Sequence, residues 1–325
     1  MGDNWKQQLA KCIKSADTLE AVSDNIPLLH RFSEQAHQQF RMKLPAGFFY
    51  DDQNKPVEAL LAQVIPDQRE NDITEGFVSD PVGDLDAMNT PGLIHKYRNR
   101  ALFIVTGACA IHCRYCFRRH FPYADSQINR ENWEPTFNYL RQHKEITEII
   151  LSGGDPLMIS DEKFGQLIDE LEKIPHLKRL RIHSRIPSVL PERVNDVLIQ
   201  KLSNSRFKVS LVTHVNHPAE LNQKNNEVFR KINQTSIQLL NQSVLLRGVN
   251  NTASTLIDLS EKLYENGILP YYLHKLDPVL GAAHFSVKEA DAIALMDEMT
   301  ASLPGYLVPK LVKEIAGEQA KTRIV

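Results

Sequence analysis

Six short apolar runs alternate with amphipathic stretches between residues 101 and 302, and few folds accommodate that alternation. The runs read ALFIVT, TEIILS, RLRIHS, FKVSLVT, QSVLLR and LPYYLHKL; apolar residues at helical spacing mark the segments near 131–143, 161–173, 191–203, 218–233, 252–266 and 286–302. Parallel neighbouring strands need a crossover of about a dozen residues or more, which a helix supplies. Six β-α units therefore predict an α/β chain, built as a doubly wound sheet or a barrel. In such folds chemistry collects on the loops after the strands' C-terminal ends. Here those loops are polar: the string CAIHCRYC, then Ser152-Gly153-Gly154-Asp155, His183-Ser184-Arg185, Thr213-His214-Val215-Asn216-His217, Arg247-Gly248-Val249-Asn250, and finally His274 with Asp277. Six polar loops on one rim outline a site.

The first loop carries Cys109, Cys113 and Cys116 at CxxxCxxC spacing. Three thiolates that close together can cap three irons of a cubane cluster and leave the fourth open to a small molecule. Two other readings remain open: a zinc site completed by His112 or His120, and a redox pair of Cys113 and Cys116. Cys12 stands alone on a helical stripe and reads as a packing thiol. His214 and His217 have a spacing that metal ligands also use, but a cluster protein needs no second metal.

The 325 residues allow one barrel-sized domain with a remainder, or two ordinary domains. No apolar run approaches the ~20 residues that span a bilayer, and the start, MGDNWKQQLAKCIKSA, lacks the apolar block of a signal peptide. The expectation is a cytoplasmic protein without a membrane partner, where thiols stay reduced. With 38 basic and 40 acidic residues the net charge is -2, and no basic run resembles a nucleic-acid footprint. The first 65 residues read as a helical preface, with Leu28, Leu29, Phe32, Ala36 and Phe40 on one face and Pro45-Ala-Gly47 as a breaker. Residues 66–96, rich in Pro, Gly, Asp and Asn, read as a long ordered loop.

The strings TPGLIHKYRNRALFIVTGACAIHCRYCFRRHF, LSGGDPL, SRIPSVLPERV, VTHVNHPAE, LLRGVN and YYLHKLDPVLGAAHF resemble the lysine 2,3-aminomutases among the radical S-adenosylmethionine (SAM) enzymes. The likeness runs almost continuously from residue 90 to 325 and is greatest to the short bacterial branch that makes β-lysine for elongation factor P. It implies a partial (β/α)6 barrel over 96–304, preceded by a helical region and linker over 1–95 and followed by a C-terminal segment over 305–325. It also implies a [4Fe-4S] cluster, S-adenosylmethionine, pyridoxal phosphate, L-lysine as substrate and an electron donor protein.

Residue by residue, the resemblance gives three irons to Cys109, Cys113 and Cys116 and the fourth to S-adenosylmethionine. Ser152, Gly153, Gly154 and Asp155 would lie at the methionine ammonium, with His214 and Gln242 around the same cofactor, and Ser184 and Arg185 are expected as cofactor neighbours. Lys321 would bind pyridoxal phosphate, which needs an unprotonated amine, and Tyr97 and Arg100 would hold it. Arg118 would grip the substrate carboxylate; its neighbour Arg119 fits the register to the cysteines less well. Asp277 and Glu314 would receive the distal ammonium. Two departures stand out: AGEQAK where the family has a glycine-rich PGGGGK, and Glu314 where Asp is usual. The rivals are an aminomutase for another amino acid such as glutamate, and a non-catalytic iron-sulfur or zinc protein. Because the chain ends four residues after Lys321, where longer members continue, the expected assembly is a monomer or small homo-oligomer.

Overall fold

The structure, a computed structural model, describes residues 4–22, 26–53, 55–123 and 133–325. Ten strands form one sheet in which each strand neighbours its successor. They are β1 (Met88–Thr90), β2 (Leu93–Tyr97), β3 (Arg100–Thr106), β4 (Glu148–Gly153), β5 (Arg179–Ser184), β6 (Lys208–Thr213), β7 (Gln238–Leu245), β8 (Leu269–Lys275), β9 (Lys310–Lys313) and β10 (Thr322–Arg323). Strands β3 to β9 run parallel; β1 and β2 on one side and β10 on the other are antiparallel. Helices Trp133–Gln142, Asp161–Glu172, Asp196–Ser203, Gln223–Asn233, Ala253–Glu265 and Glu289–Ser302 fill the crossovers. Ser160, Asn195, Asn222 and Thr252 start four of them, each side chain accepting a first-turn N–H. Strand β4, EIILSG, is buried at every position, as a strand covered on both faces must be.

All six expected β-α units are present, and the sheet curls. In a flat sheet, β2 and β9 would stand about 34 Å apart, seven strand spacings. Yet the Tyr97 hydroxyl at the end of β2 donates to Glu314 Oε1, one residue past β9, at 3.1 Å. Only a partial barrel brings those edges together.

The structure departs from the sequence reading in four places. Strand β7 starts at Gln238, four residues before QSVLLR. β9 and β10 were not expected, because KLVK and TR are too short for a periodic signal. β1 and all of β2 but Tyr97 lie inside the stretch read as a loop, where Pro and Gly mask them. The face drawn from Leu28 to Phe40 breaks, because the Ser33 side chain accepts from Ala36 N at 3.1 Å and starts a new helix, Glu34–Gln39. The helix expected near 131–143 begins, among the described residues, at Trp133; positions 131 and 132 lie outside them.

The preface is a brace for the cysteine loop. Its Trp5, Ile13, Leu19, Phe49 and Leu60 share one hydrophobic cluster with Phe103, Ile149 and Leu180 of the barrel. Polar contacts then fix the loop itself. Lys43 Nζ donates to Cys109 O at 2.6 Å, His112 Nδ1 to Arg41 O at 2.7 Å, and Arg114 N to Gln63 O at 2.8 Å. The buried Glu70 carboxylate accepts from Arg114 and from Arg119, at 2.6 and 2.8 Å.

Candidate active site

At the strands' C-terminal ends lies a cavity of about 570 Å³, and every site residue expected from the sequence lines it. Its three cysteines follow β3, and a turn in which Cys116 N donates to Cys113 O at 3.0 Å folds the last two onto one wall. Burial, together with the neighbouring thiols, pushes Cys109 well above the ordinary thiol range and Cys116 up to about 11. As bare thiols Cys109 and Cys116 hold their protons, and an iron-sulfur core is the kind of cationic partner that draws them off as thiolates. The triad therefore fits a cluster. His112 bonds Arg41 O through Nδ1, and His120 bonds Leu280 O at 3.3 Å. Among the described residues no three His, Cys, Asp or Glu side chains converge as a single-ion set. All four cysteines are free thiols, and Cys12 is buried with its Sγ toward Ala110 O.

The Gly153–Asp155 loop is stitched to the cysteine loop. Gly154 N donates to Thr106 O at 2.7 Å and Asp155 N to Ala108 O at 2.8 Å. A Cβ on Gly154 would meet Ala108 O at 2.5 Å, so glycine is required by loop-on-loop packing. Gly153 has a φ of +118° and its Cβ would meet Thr106 O at 2.6 Å. The Asp155 carboxylate, raised to about 6 by burial, accepts from Ser184 Oγ at 2.8 Å and from the N–H groups of Leu157, Arg185 and Ile186. It ties three loops together at the cavity wall. Arg185 fans out beside it, donating to Cys113 Sγ at 2.7 Å, Tyr115 Oη at 2.8 Å, Gln63 Oε1 at 2.6 Å and Glu220 Oε2 at 3.0 Å. His214 stacks on Tyr115 and bonds its hydroxyl at 2.9 Å; burial holds the ring neutral, down to about 3. His217 instead accepts from Ala219 N, so the two histidines serve different partners. Gln242 reaches His183 Nδ1 at 3.5 Å.

At the other end stand the groups expected for pyridoxal phosphate and for a zwitterionic substrate. Lys321 pairs with Glu314, whose other carboxylate oxygen accepts from Tyr97 Oη and from Lys96 Nζ at 3.3 Å. The Arg100 guanidinium lies 4.1 Å over the Tyr97 ring. Together with Arg181, His183 and Tyr272, these residues form a cationic, aromatic-walled end of the cavity that suits a phosphorylated pyridine. Burial pushes the Glu314 carboxyl up, but Lys321 and Lys96 outweigh it and hold it at about 2. Asp277 behaves in the opposite way: burial outweighs Lys321 and lifts it to about 7. Arg118 is buried, with Phe117 and Phe121 against its guanidinium.

Sequence reasoning missed Asp84, Lys96 and Tyr115, which line the cavity, and Gln63, which accepts from Arg185 beside it. Lys96 Nζ pairs with Asp84 Oδ1 at 2.6 Å, and Arg118 Nε with Asp84 Oδ2 at 2.7 Å. Asp84 and Gln63 come from the loop and preface that composition marked as peripheral, so no local signal pointed to them. Lys96 was adjacent to a quoted residue, in KYRNR, and its neighbour's role was the only available hint.

Known sequences identify the family. The profile of the Radical SAM superfamily matches residues 103–268. The chain is 44% identical over 323 residues to an L-lysine 2,3-aminomutase of Escherichia coli strain K12, covering 98% of this chain and 94% of that one. It is 46% identical over 288 residues to the enzyme of that name from Haemophilus influenzae, covering 88% of this chain and 85% of that one. Against the longer L-lysine 2,3-aminomutase of Clostridium subterminale it is 32% identical over 328 residues, 99% of this chain and 78% of that one. The chain thus belongs to the Radical SAM superfamily and, within it, to the L-lysine 2,3-aminomutase family.

Proposed function

We infer that this protein interconverts L-α-lysine and β-lysine, using a [4Fe-4S] cluster, S-adenosylmethionine and pyridoxal phosphate. One cavity joins the thiol triad, the Lys321 amine and two opposite charge poles, and that juxtaposition carries the reading. When bound, these cofactors supply hydrogen abstraction at Cβ of lysine and a carrier for the migrating amino group. The chain's residues position. Cys109, Cys113 and Cys116 hold the cluster; Ser152, Gly153, Gly154, Asp155, Ser184, Arg185, His214 and Gln242 surround S-adenosylmethionine; Tyr97, Arg100 and Lys321 hold pyridoxal phosphate. Arg118 takes the substrate carboxylate, and Asp277 with Glu314 takes the distal ammonium. Fixing both ends of the substrate leaves Cβ in one place, which is the main task of an active site for this chemistry.

Charge sets the substrate. Lysine brings one anion for Arg118 and one cation for the acidic pair, whereas glutamate would place a second carboxylate against Asp277 and Glu314. We place the enzyme in the cytoplasm, supplied with electrons by a donor protein and passing β-lysine to elongation factor P modification. The deciding experiment is an anaerobic incubation of the reconstituted enzyme with dithionite, S-adenosylmethionine and either lysine or glutamate, read by mass spectrometry of derivatised products. β-Lysine is expected, together with a borohydride-trapped pyridoxyl group on the Lys321 peptide. Preferential turnover of glutamate, or trapping on another lysine, overturns the reading.

A further inference from the structure

Asp84 sits in a turn before β1 that no strand or helix supports, yet it is 2% exposed and makes two ion pairs inside the cavity. The turn is pinned from both sides. Asp80 accepts from Asp84 N at 3.0 Å and from Leu85 N at 2.9 Å. A Cβ on Gly83, φ +66°, would come within 3.2 Å of Ala316 Cβ on the segment that leads to Lys321. A carboxylate is seldom buried unless its partners compensate, and here Arg118 and Lys96 outweigh burial and hold Asp84 below the usual carboxylate range.

The geometry of Arg118 is the informative part. Its Nε is taken by Asp84 at 2.7 Å and one Nη1 hydrogen by Ser152 Oγ at 3.2 Å; among the described residues Nη2 has no hydrogen-bond partner. A guanidinium held by its Nε edge can present only its outer edge to a carboxylate. The pairs also form a chain of alternating sign, Arg118, Asp84, Lys96, Glu314. An amino acid with a carboxylate at the Arg118 end and an ammonium at the Glu314 end continues that alternation at both ends. Without Asp84, Lys96 becomes a second cation one step nearer Glu314, and a substrate carboxylate can settle out of register.

We propose that Asp84 is a positioning residue that sets substrate register by holding Arg118 by its Nε edge and by keeping Lys96 from competing for the substrate carboxylate. The proposal rests on the reading of Arg118 as the carboxylate receptor, so the test includes both residues. In reconstituted holoenzyme, Asp84→Asn should raise KM for L-lysine about tenfold or more. The Ki of L-lysinamide, whose α-carboxamide is uncharged, should stay within about twofold of the parent's, because an uncharged group gains little from an oriented guanidinium. Iron content and KM for S-adenosylmethionine should not change. An unchanged KM for lysine, or an equal rise in both constants, overturns the proposal. Arg118→Lys measured in parallel separates the two layers: no rise in KM there removes the reading of Arg118, whereas a rise in Arg118→Lys alone removes only Asp84. If Asp84→Asn does not accumulate as folded holoenzyme, Asp84→Glu takes its place. It keeps the charge but displaces it, and the same lysine-selective rise is expected; a parental KM overturns the proposal.

Discussion

Asp277 and Glu314 face the same end of the cavity with opposite protonation behaviour, and the difference is measurable. Glu314, held at about 2 by Lys321 and Lys96, is ionised throughout the working range. Asp277, lifted to about 7 by burial against the pull of Lys321 and Lys96 and with Glu314 and Asp84 adding to the rise, is half-protonated near neutrality. An ammonium is bound by the ionised form, so lysine binding below the Asp277 pKa must also expel a proton. KM for lysine should therefore fall as pH rises through the region of about 6 to 8 and level off above it, because the lysine ammonium stays charged to about pH 10. Asp277→Asn should flatten that profile and lower kcat/KM by about thirtyfold or more, with cluster content unchanged. A parental profile in the variant would remove Asp277 from the ammonium site.

At the scale of elements, the C-terminal hairpin decides whether Lys321 reaches the cavity. Antiparallel pairing of β9 with β10 sets Lys313 opposite Thr322, which brings Lys321 back beside Glu314. Within AGEQAK, the one glycine, Gly317, takes a φ of +85° with open space around it. Ile324 anchors the return: its N–H donates to Leu311 O at 2.9 Å and its side chain packs on the cluster of Leu273, Val287 and Leu311. Ile324→Asp places a charge against that apolar cluster at a cost of about 1–3 kcal/mol, enough to populate a detached tail. Borohydride trapping of pyridoxal phosphate should then drop well below one per chain while iron stays at the parental level.

For the whole molecule, the preface and barrel fold as one body around buried guanidiniums. Glu70 is the shared anion of Arg114, which is fully buried, and Arg119. Glu70→Ala leaves two cations buried with no compensating charge, a loss of about 3–5 kcal/mol. Thermal unfolding of the apoprotein should move down by about 5–10 °C, and the cysteine loop, which Arg114 anchors, should take up less iron on reconstitution. A melting temperature within a degree of the parent would show that the brace does not depend on Glu70. No helix among the described residues is long and apolar enough to cross a membrane.

What the sequence determined by itself was local in origin. Apolar runs at strand length, helical periodicity and a three-cysteine spacing are set by neighbours within about a dozen residues, so six β-α units and the cluster loop were legible from the string. The glycines of Ser152-Gly153-Gly154-Asp155 were legible as a tight loop, but not their reason, since the atoms that a Cβ would strike belong to residues 104–108. The tertiary structure alone decided which distant charges meet. Asp84 joins Arg118 across 34 residues of chain and Lys96 joins Glu314 across 218, separations at which no periodicity survives. Curling of the sheet makes those pairs. A carboxylate in a stretch composed like a linker, and a glutamine at the end of a five-residue helix, became parts of the site because the barrel closes over them.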